Sequence, residues 1–198
     1  MPHFKLTLVF SSFISICLLL FSCNSDESSI VKADNNQFTS QVQTNTPSQT
    51  EALEDTLLSD SLNIGLRLEL ASLYYSDEKL EEALLQFLKV TDIDNTNLTA
   101  LINVGNIYYD SQQFEKAIDY YKKSLIIDKN NINVKCDMAT CYLNNKMPEK
   151  AIEILKENVK TNFNHAQSHY NLAVIYKQLG KIKESDDEMK IFNSITPN

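Results

Sequence analysis

Residues 98–131 read LTALINVGNIYYDSQQFEKAIDYYKKSLIIDKNN, and this stretch decides the fold. Small and aromatic side chains recur in its first half at helical spacing, as Gly105 and Tyr108 do, with polar residues between them. The segment 114–118 opens a second helical pattern, with apolar residues at i, i+3 and i+4. Because β-branched residues nowhere alternate long enough to indicate a strand, the pattern predicts two antiparallel helices.

The same pattern recurs when the sequence is shifted against itself by 34 residues. Four units align without a gap, and they cover residues 64–97, 98–131, 132–165 and 166–198. The eighth position of each unit is small and the eleventh is tyrosine, which gives Ala71, Gly105, Ala139 and Ala173, then Tyr74, Tyr108, Tyr142 and Tyr176. The twentieth position is again small and the twenty-fourth is large and apolar, which gives Ala83, Ala117, Ala151 and Ser185, then Phe87, Tyr121, Leu155 and Met189.

These positions resemble the tetratricopeptide repeat over residues 64–198. The resemblance implies an all-α fold, a right-handed α-solenoid of stacked antiparallel helix pairs. One departure is that the family usually has proline before each new repeat, whereas this chain has Asn95, Lys129 and Phe163. Asp and Asn residues around these positions are predicted to turn the chain instead.

The first 22 residues are predicted to form a lipoprotein signal peptide. A short segment with Lys5 precedes an apolar stretch over residues 6–21, which is shorter than the roughly 20 residues of a membrane span. The stretch ends in Leu20-Phe21-Ser22-Cys23, which resembles the bacterial lipobox and implies that Cys23 is acylated. An uncleaved N-terminal membrane anchor is the alternative.

Residues 23–50 are predicted to form a disordered, flexible tether that carries the acylated Cys23. The segment is rich in Ser, Thr, Asn and Gln, and its few apolar residues show no helical period. A helical pattern begins near Ser48 and predicts a short capping helix over residues 51–63, with Leu53, Leu57 and Leu58 on one face.

The composition argues against several kinds of function. The chain has 18 Lys and Arg against 26 Asp and Glu and no basic cluster, so nucleic-acid binding is not expected. Cys136 and Cys141 point about 140° apart on one helix and are interpreted as packing thiols. His165 and His169 have metal-ligand spacing, but no third ligand completes a site. No catalytic set or phosphate loop is present in the sequence, so neither an enzyme nor a cofactor or metal is expected.

The resemblance implies that the first helix of each pair lines a concave groove. Residues at positions 2, 5, 6, 9, 12 and 13 of a repeat face this groove in the family. In this chain the set is rich in amides, which suit the backbone of a bound peptide, and it comprises Asn103, Asn106, Tyr109, Asp110, Asn133, Asp137, Thr140, Gln167, Tyr170, Asn171 and Lys177. The groove is therefore predicted to bind a peptide segment or partner helix, with an unoccupied, solvated surface as the alternative. It lacks the cations of the family's carboxylate clamp.

A second candidate surface lies on the last helix. Met189, Phe192 and Ile195 form an apolar docking edge, which is predicted to bind a partner or a second copy of the chain. Together these features predict a non-catalytic scaffold or adaptor that is lipid-anchored in the bacterial cell envelope, at the outer membrane. A self-associating structural lipoprotein and an accessory subunit of an envelope enzyme are the alternatives.

Overall fold

The computed structural model describes residues 48–196, which fold into nine α-helices and no strand. The helices are α1 Gln49–Ser59, α2 Ile64–Ser76, α3 Leu80–Ile93, α4 Leu98–Asp110, α5 Phe114–Ile127, α6 Ile132–Asn144, α7 Pro148–Thr161, α8 Ala166–Gln178 and α9 Ile182–Ile195. The predicted all-α fold is confirmed. The predicted signal peptide, Cys23 and the tether as far as residue 47 lie outside the described residues. Every described helix is too short or too polar to cross a bilayer.

The helices form pairs that stack on one another. The first helices of the four pairs begin at Ile64, Leu98, Ile132 and Ala166, which are 34 residues apart. Each second helix packs against its own partner, and α3, α5 and α7 also pack against the first helix of the next pair. The predicted stack of helix pairs is therefore confirmed, and its apolar core consists of three clusters of buried residues that meet at the partly buried Tyr108 and Tyr142.

The turn inside each pair uses a left-handed backbone conformation at the same repeat position. The residues are Glu78, Gln112, Lys146 and Gly180, with φ between 58° and 72°. The N–H of the next residue donates to the carbonyl of the eleventh-position tyrosine, as Gln113 N does to Tyr108 O at 2.8 Å. Such bonds satisfy carbonyls that a helix end leaves unpaired. The sequence does not predict this turn, because a left-handed conformation usually indicates glycine and three of the four positions have long side chains.

The turns between pairs are built from Asp and Asn, as predicted. Asp94 Oδ1 accepts hydrogen bonds from the N–H of Thr96 at 2.9 Å and from its hydroxyl at 2.7 Å. These bonds hold the pKa of Asp94 below its usual value. Asn97 then caps α4 by accepting from Ala100 N at 3.0 Å, and the equivalent residues Asn63 and Asn131 cap α2 and α6. Side-chain hydrogen bonds of Asp and Asn thus form the turns at which the family usually has proline.

The eighth repeat position is small and buried in all four repeats. Ala71, Ala139 and Ala173 are fully buried there, and Gly105 takes their place in the second repeat. A Cβ added to Gly105 would lie 2.6 Å from Cε1 of Tyr121, so the tyrosine ring occupies the space that an alanine methyl needs. The glycine is therefore matched to the large residue opposite it.

The capping helix begins and ends earlier than predicted, at Gln49 and Ser59. Ser48 and Glu51 form a capping box at its start, which explains the early beginning. Leu57 is buried against α2, but Leu58 is 84 % exposed. The prediction that Leu58 shares the packing face is wrong, because adjacent residues point 100° apart around a helix.

Cys136 and Cys141 are both buried with free thiols, which confirms their interpretation as packing residues.

Candidate protein-binding face

The four first helices, α2, α4, α6 and α8, present one surface, here called the first-helix face. Hydrogen bonds cross between neighbouring repeats along it. The Tyr75 hydroxyl donates to Asp110 Oδ2 at 2.7 Å, and Asn144 Nδ2 donates to the Tyr109 hydroxyl oxygen at 3.4 Å. Both bonds join residues 35 apart in the sequence, so they tie α2 to α4 and α4 to α6 and make the face continuous over three repeats.

The predicted groove residues differ widely in how much of them reaches solvent. Three are exposed, namely Asp110, Asn133 and Lys177. Seven are half-buried, namely Asn103, Asn106, Tyr109, Asp137, Thr140, Gln167 and Tyr170. A partner on the first-helix face would thus meet the three exposed side chains most fully.

Asn171 is placed differently from the prediction, because it is only 4 % exposed. Its Nδ2 donates to Cys136 Sγ at 3.4 Å, and its Oδ1 accepts from Gln167 Nε2 at 2.9 Å. The side chain therefore lies between α6 and α8, where it joins two repeats. The structure thus places Asn171 inside the array and not on its surface, and a contact with a partner stays a prediction.

Two other predicted groove residues with amide side chains make hydrogen bonds within the repeat array. Asn103 Nδ2 donates to Thr99 O at 2.8 Å, and Asn106 Oδ1 accepts from the buried Tyr121 hydroxyl at 2.7 Å. An amide has two donors and an acceptor oxygen. The Asn103 oxygen and the Asn106 nitrogen are then the groups that these two residues would offer to a partner.

The middle of the first-helix face is acidic and keeps its tyrosines protonated. Burial, followed by the hydrogen bond to Asp110, raises the pKa of Tyr75. Burial, with smaller contributions from the charges of Asp110 and Asp137, raises the pKa of Tyr109. The tyrosyl hydroxyls therefore act as hydrogen-bond donors and acceptors at neutral pH.

The predicted docking edge meets the first-helix face at the last repeat. Met189, Phe192 and Ile195 are half-buried. The Phe192 ring packs on Tyr170, with 5.3 Å between the ring centroids and a tilt of 53°. The structure thus joins a predicted edge residue to a predicted groove residue. A docking role for this edge stays a prediction.

Comparisons with known proteins agree with the repeat fold described above. The family model described as tetratricopeptide repeat protein 21, fourth ARM domain, matches residues 98–197, which is about half of the chain. The chain belongs to the tetratricopeptide repeat family. No protein with a curated description matches it.

Solved structures show the same fold for most of the chain. A crystal structure of MamA superposes with a TM-score of 0.69 at 17% identity, and covers 74% of this chain and 85% of MamA. MamA from Desulfovibrio magneticus RS-1 gives 0.69 at 12% identity, with 74% and 82% covered. MamA from MSR-1 gives 0.64 at 19% identity, with 74% and 84% covered. At these identities the likeness concerns the fold alone.

The thiol of Cys141 is buried between the helices. Burial raises the pKa of the Cys141 thiol, and the nearby Asp137 raises it further, so the thiol is a poor nucleophile. Within residues 48–196 no three His, Cys, Asp or Glu side chains gather as metal ligands.

Sequence analysis missed Tyr75, whose hydroxyl donates to Asp110 across two repeats. A signal was available, because Tyr75 and Tyr109 both occupy the twelfth repeat position. The repeated tyrosine indicates a recurring role, but only the stacked structure identifies its partner.

The start of α8 is where we expect the structure to respond to pH. His165 occupies the N-cap position but makes no capping hydrogen bond. Its Nδ1 lies 2.8 Å from Ser168 Oγ, and its Nε2 lies 3.2 Å from Asn133 Oδ1. Burial, followed by the charge of His169, lowers the pKa of His165. Because the unfolded chain then binds the proton more readily, the stability contribution falls as pH drops below the usual histidine pKa of about 6.5.

His165→Asn is expected to raise the free energy of unfolding by about 0.5–1 kcal/mol near neutral pH, since asparagine caps the other three first helices. The variant should also lose less stability than the wild type when the pH is lowered to about 5. Urea unfolding at both pH values measures this. The reverse change Asn131→His is the matched control and should destabilise. Equal pH sensitivity in His165→Asn and the wild type would contradict the assignment.

Proposed function

We propose that this protein is a non-catalytic adaptor that binds a segment or helix of a partner protein on its first-helix face. The observation that carries the proposal is the continuity of that face. Hydrogen bonds between Tyr75 and Asp110 and between Asn144 and Tyr109 tie successive first helices together. A bound segment could then run across several repeats without meeting a break.

The chemistry of the face favours a polar partner surface with an extended or helical backbone. Asp110, Asn133 and Lys177 are exposed on three different repeats, so they can contact one segment at separate points. The half-buried Asn103 and Asn106 add an amide oxygen and an amide nitrogen between them. Donors and acceptors of this kind match the N–H and C=O groups of a peptide backbone.

We further propose that lipid on Cys23 holds this adaptor in a bacterial cell envelope, at the outer membrane. The lipobox-like Leu20-Phe21-Ser22-Cys23 after an apolar stretch supports this. A segment of 24 residues separates Cys23 from Ser48, and such a linker would allow a reach of roughly 30 Å. The array could then search for a partner near the membrane surface.

Crosslinking in intact cells tests the partner site. A photoreactive residue at Asn133 should give a specific crosslinked protein, and Asp110→Lys combined with Lys177→Glu should reduce that product at least fivefold. The matched control reverses two exposed charges on the second helix of the second repeat, Asp119→Lys with Lys122→Glu, and should leave the product unchanged. Equal loss in both double variants, or in neither, would count against the first-helix face.

The same cells test the anchor and the alternatives. Labelled fatty acid should enter the wild type and not Cys23→Ala, and the variant should leave the membrane fraction. If neither protein takes up the label, the proposed lipid anchor is contradicted. Crosslinks to the chain itself alone would favour the structural lipoprotein, and Phe192→Asp should then abolish them. Crosslinks to one enzyme would favour the accessory subunit.

A further inference from the structure

Arg67, at the fourth position of the first repeat, is a buried cation and the only arginine of the chain. It is 9 % exposed. Its Nε and Nη2 both donate to the Ser61 carbonyl, and its Nη1 donates to Gln86 Oε1 at 2.8 Å. These bonds use three of its five N–H groups. The other two N–H groups make no hydrogen bond to a residue within the range 48–196.

The last repeat holds a similar arrangement, with a carboxylate in place of the amide. His169 occupies the fourth position there, with Nε2 2.8 Å from the Phe163 carbonyl oxygen and Nδ1 2.6 Å from Glu188 Oε2. Glu188 and Gln86 share the twenty-third repeat position. At this position His169 therefore has a carboxylate as its neighbour, whereas Arg67 has a neutral amide.

Arg67 differs from His169 in having no ion pair among the residues that the structure describes. Within residues 48–196 no carboxylate oxygen lies within 4.0 Å of its guanidinium. Buried charges in proteins are normally paired, because removal from water strongly disfavours an isolated ion. An anion from outside this part of the chain would supply the missing charge.

Arg67 lines a surface pocket of about 350 Å³ between α1, α2 and α3. Lys89 adds a second cation, and Leu57, Leu58 and Leu70 form an apolar wall. Glu54 is the one carboxylate among the lining residues, and it accepts a hydrogen bond from the Tyr74 hydroxyl. The charged lining residues therefore sum to +1, from two cations and one anion.

We infer that this pocket binds a carboxylate carried on a short apolar chain. The two guanidinium N–H groups that remain after the bonds to Ser61 and Gln86 would donate to a carboxylate, and Lys89 adds a second positive charge to the pocket. The apolar chain would lie on the leucine wall, which gives the exposed Leu58 a contact. An acidic side chain next to an apolar residue of a partner, or a free fatty carboxylate, has this chemistry. The site uses none of the predicted groove residues, so it does not depend on the proposed function.

The unique Arg67 makes the site directly observable, because its Nε–H gives the one arginine side-chain resonance in a ¹⁵N spectrum of the full chain. Hexanoate should shift this resonance with saturation, and hexan-1-ol should not. Acetate should bind at least tenfold more weakly than hexanoate, since it cannot reach the leucine wall. Lys89→Gln should weaken hexanoate binding severalfold.

A blocked Leu-Glu-Leu peptide separates the two possible sources of the carboxylate. Tighter binding than hexanoate indicates a protein side chain, and weaker binding indicates a fatty carboxylate.

Gln86→Glu is the decisive variant, because it places a carboxylate where the last repeat has Glu188. It should reduce hexanoate affinity at least tenfold and raise the melting temperature of the ligand-free protein. Leu58→Asn, at an exposed position, should weaken hexanoate without changing that temperature. The inference is overturned if hexanoate gives no saturable shift, or if Gln86→Glu binds it as the wild type does.

Discussion

Gly105→Ala is expected to lower the free energy of unfolding by about 2 kcal/mol, although alanine is the better helix former by about 1 kcal/mol. The added Cβ would lie 2.6 Å from Cε1 and 2.8 Å from Cδ1 of Tyr121. That ring is 1 % exposed, and its hydroxyl donates to Asn106 Oδ1 at 2.7 Å. The ring cannot withdraw without breaking this bond and opening a void, so steric overlap outweighs helix propensity.

A double-mutant cycle tests this explanation. Tyr121→Leu combined with Gly105→Ala recreates the pair found in the third repeat, Ala139 with Leu155. Urea unfolding should show that Gly105→Ala costs about 2 kcal/mol with Tyr121 present and little with leucine there. The control Ala139→Gly should destabilise by about 1 kcal/mol through helix propensity. Additive effects of the two changes would show that the ring is not the cause.

His169→Ala is expected to destabilise the last repeat by about 3 kcal/mol, the range for loss of a large buried side chain with its hydrogen bonds. The His169 side chain is 2 % exposed, and each of its nitrogens faces an acceptor, the Phe163 carbonyl or the Glu188 carboxylate. The Phe163 ring also packs edge-on against the imidazole, at 5.3 Å between centroids. Truncation would remove both of these contacts and open a void beside them.

The second repeat supplies the control for His169. Leu101 occupies the equivalent position there and is 2 % exposed, so an apolar side chain fits this site. His169→Leu alone should still destabilise, because it strands the Glu188 carboxylate, and adding Glu188→Leu should recover most of the loss. Hydrogen exchange of α8 and α9 resolves the effect within the last repeat. A His169→Leu protein as stable as the double variant would mean that the pair with Glu188 has no energetic role.

The sequence by itself determined the fold and the spacing of the first helices. Small residues at the eighth position and tyrosines at the eleventh recur every 34 residues, and helical periodicity is local enough to be read without the structure. The Asp and Asn turns were predictable for the same reason, because their side chains bond to backbone only two or three residues away.

Only the tertiary structure decided which side chains are available to a ligand. Asn171 is drawn between α6 and α8 by bonds that include one to Cys136, 35 residues away. Arg67 reaches Gln86 on the next helix, and their shared pocket needs α1 to complete it. A repeat period assigns each residue to a face of its own helix. It does not say which neighbour fills the space in front of that face, because this depends on the sizes and charges of residues brought together by packing.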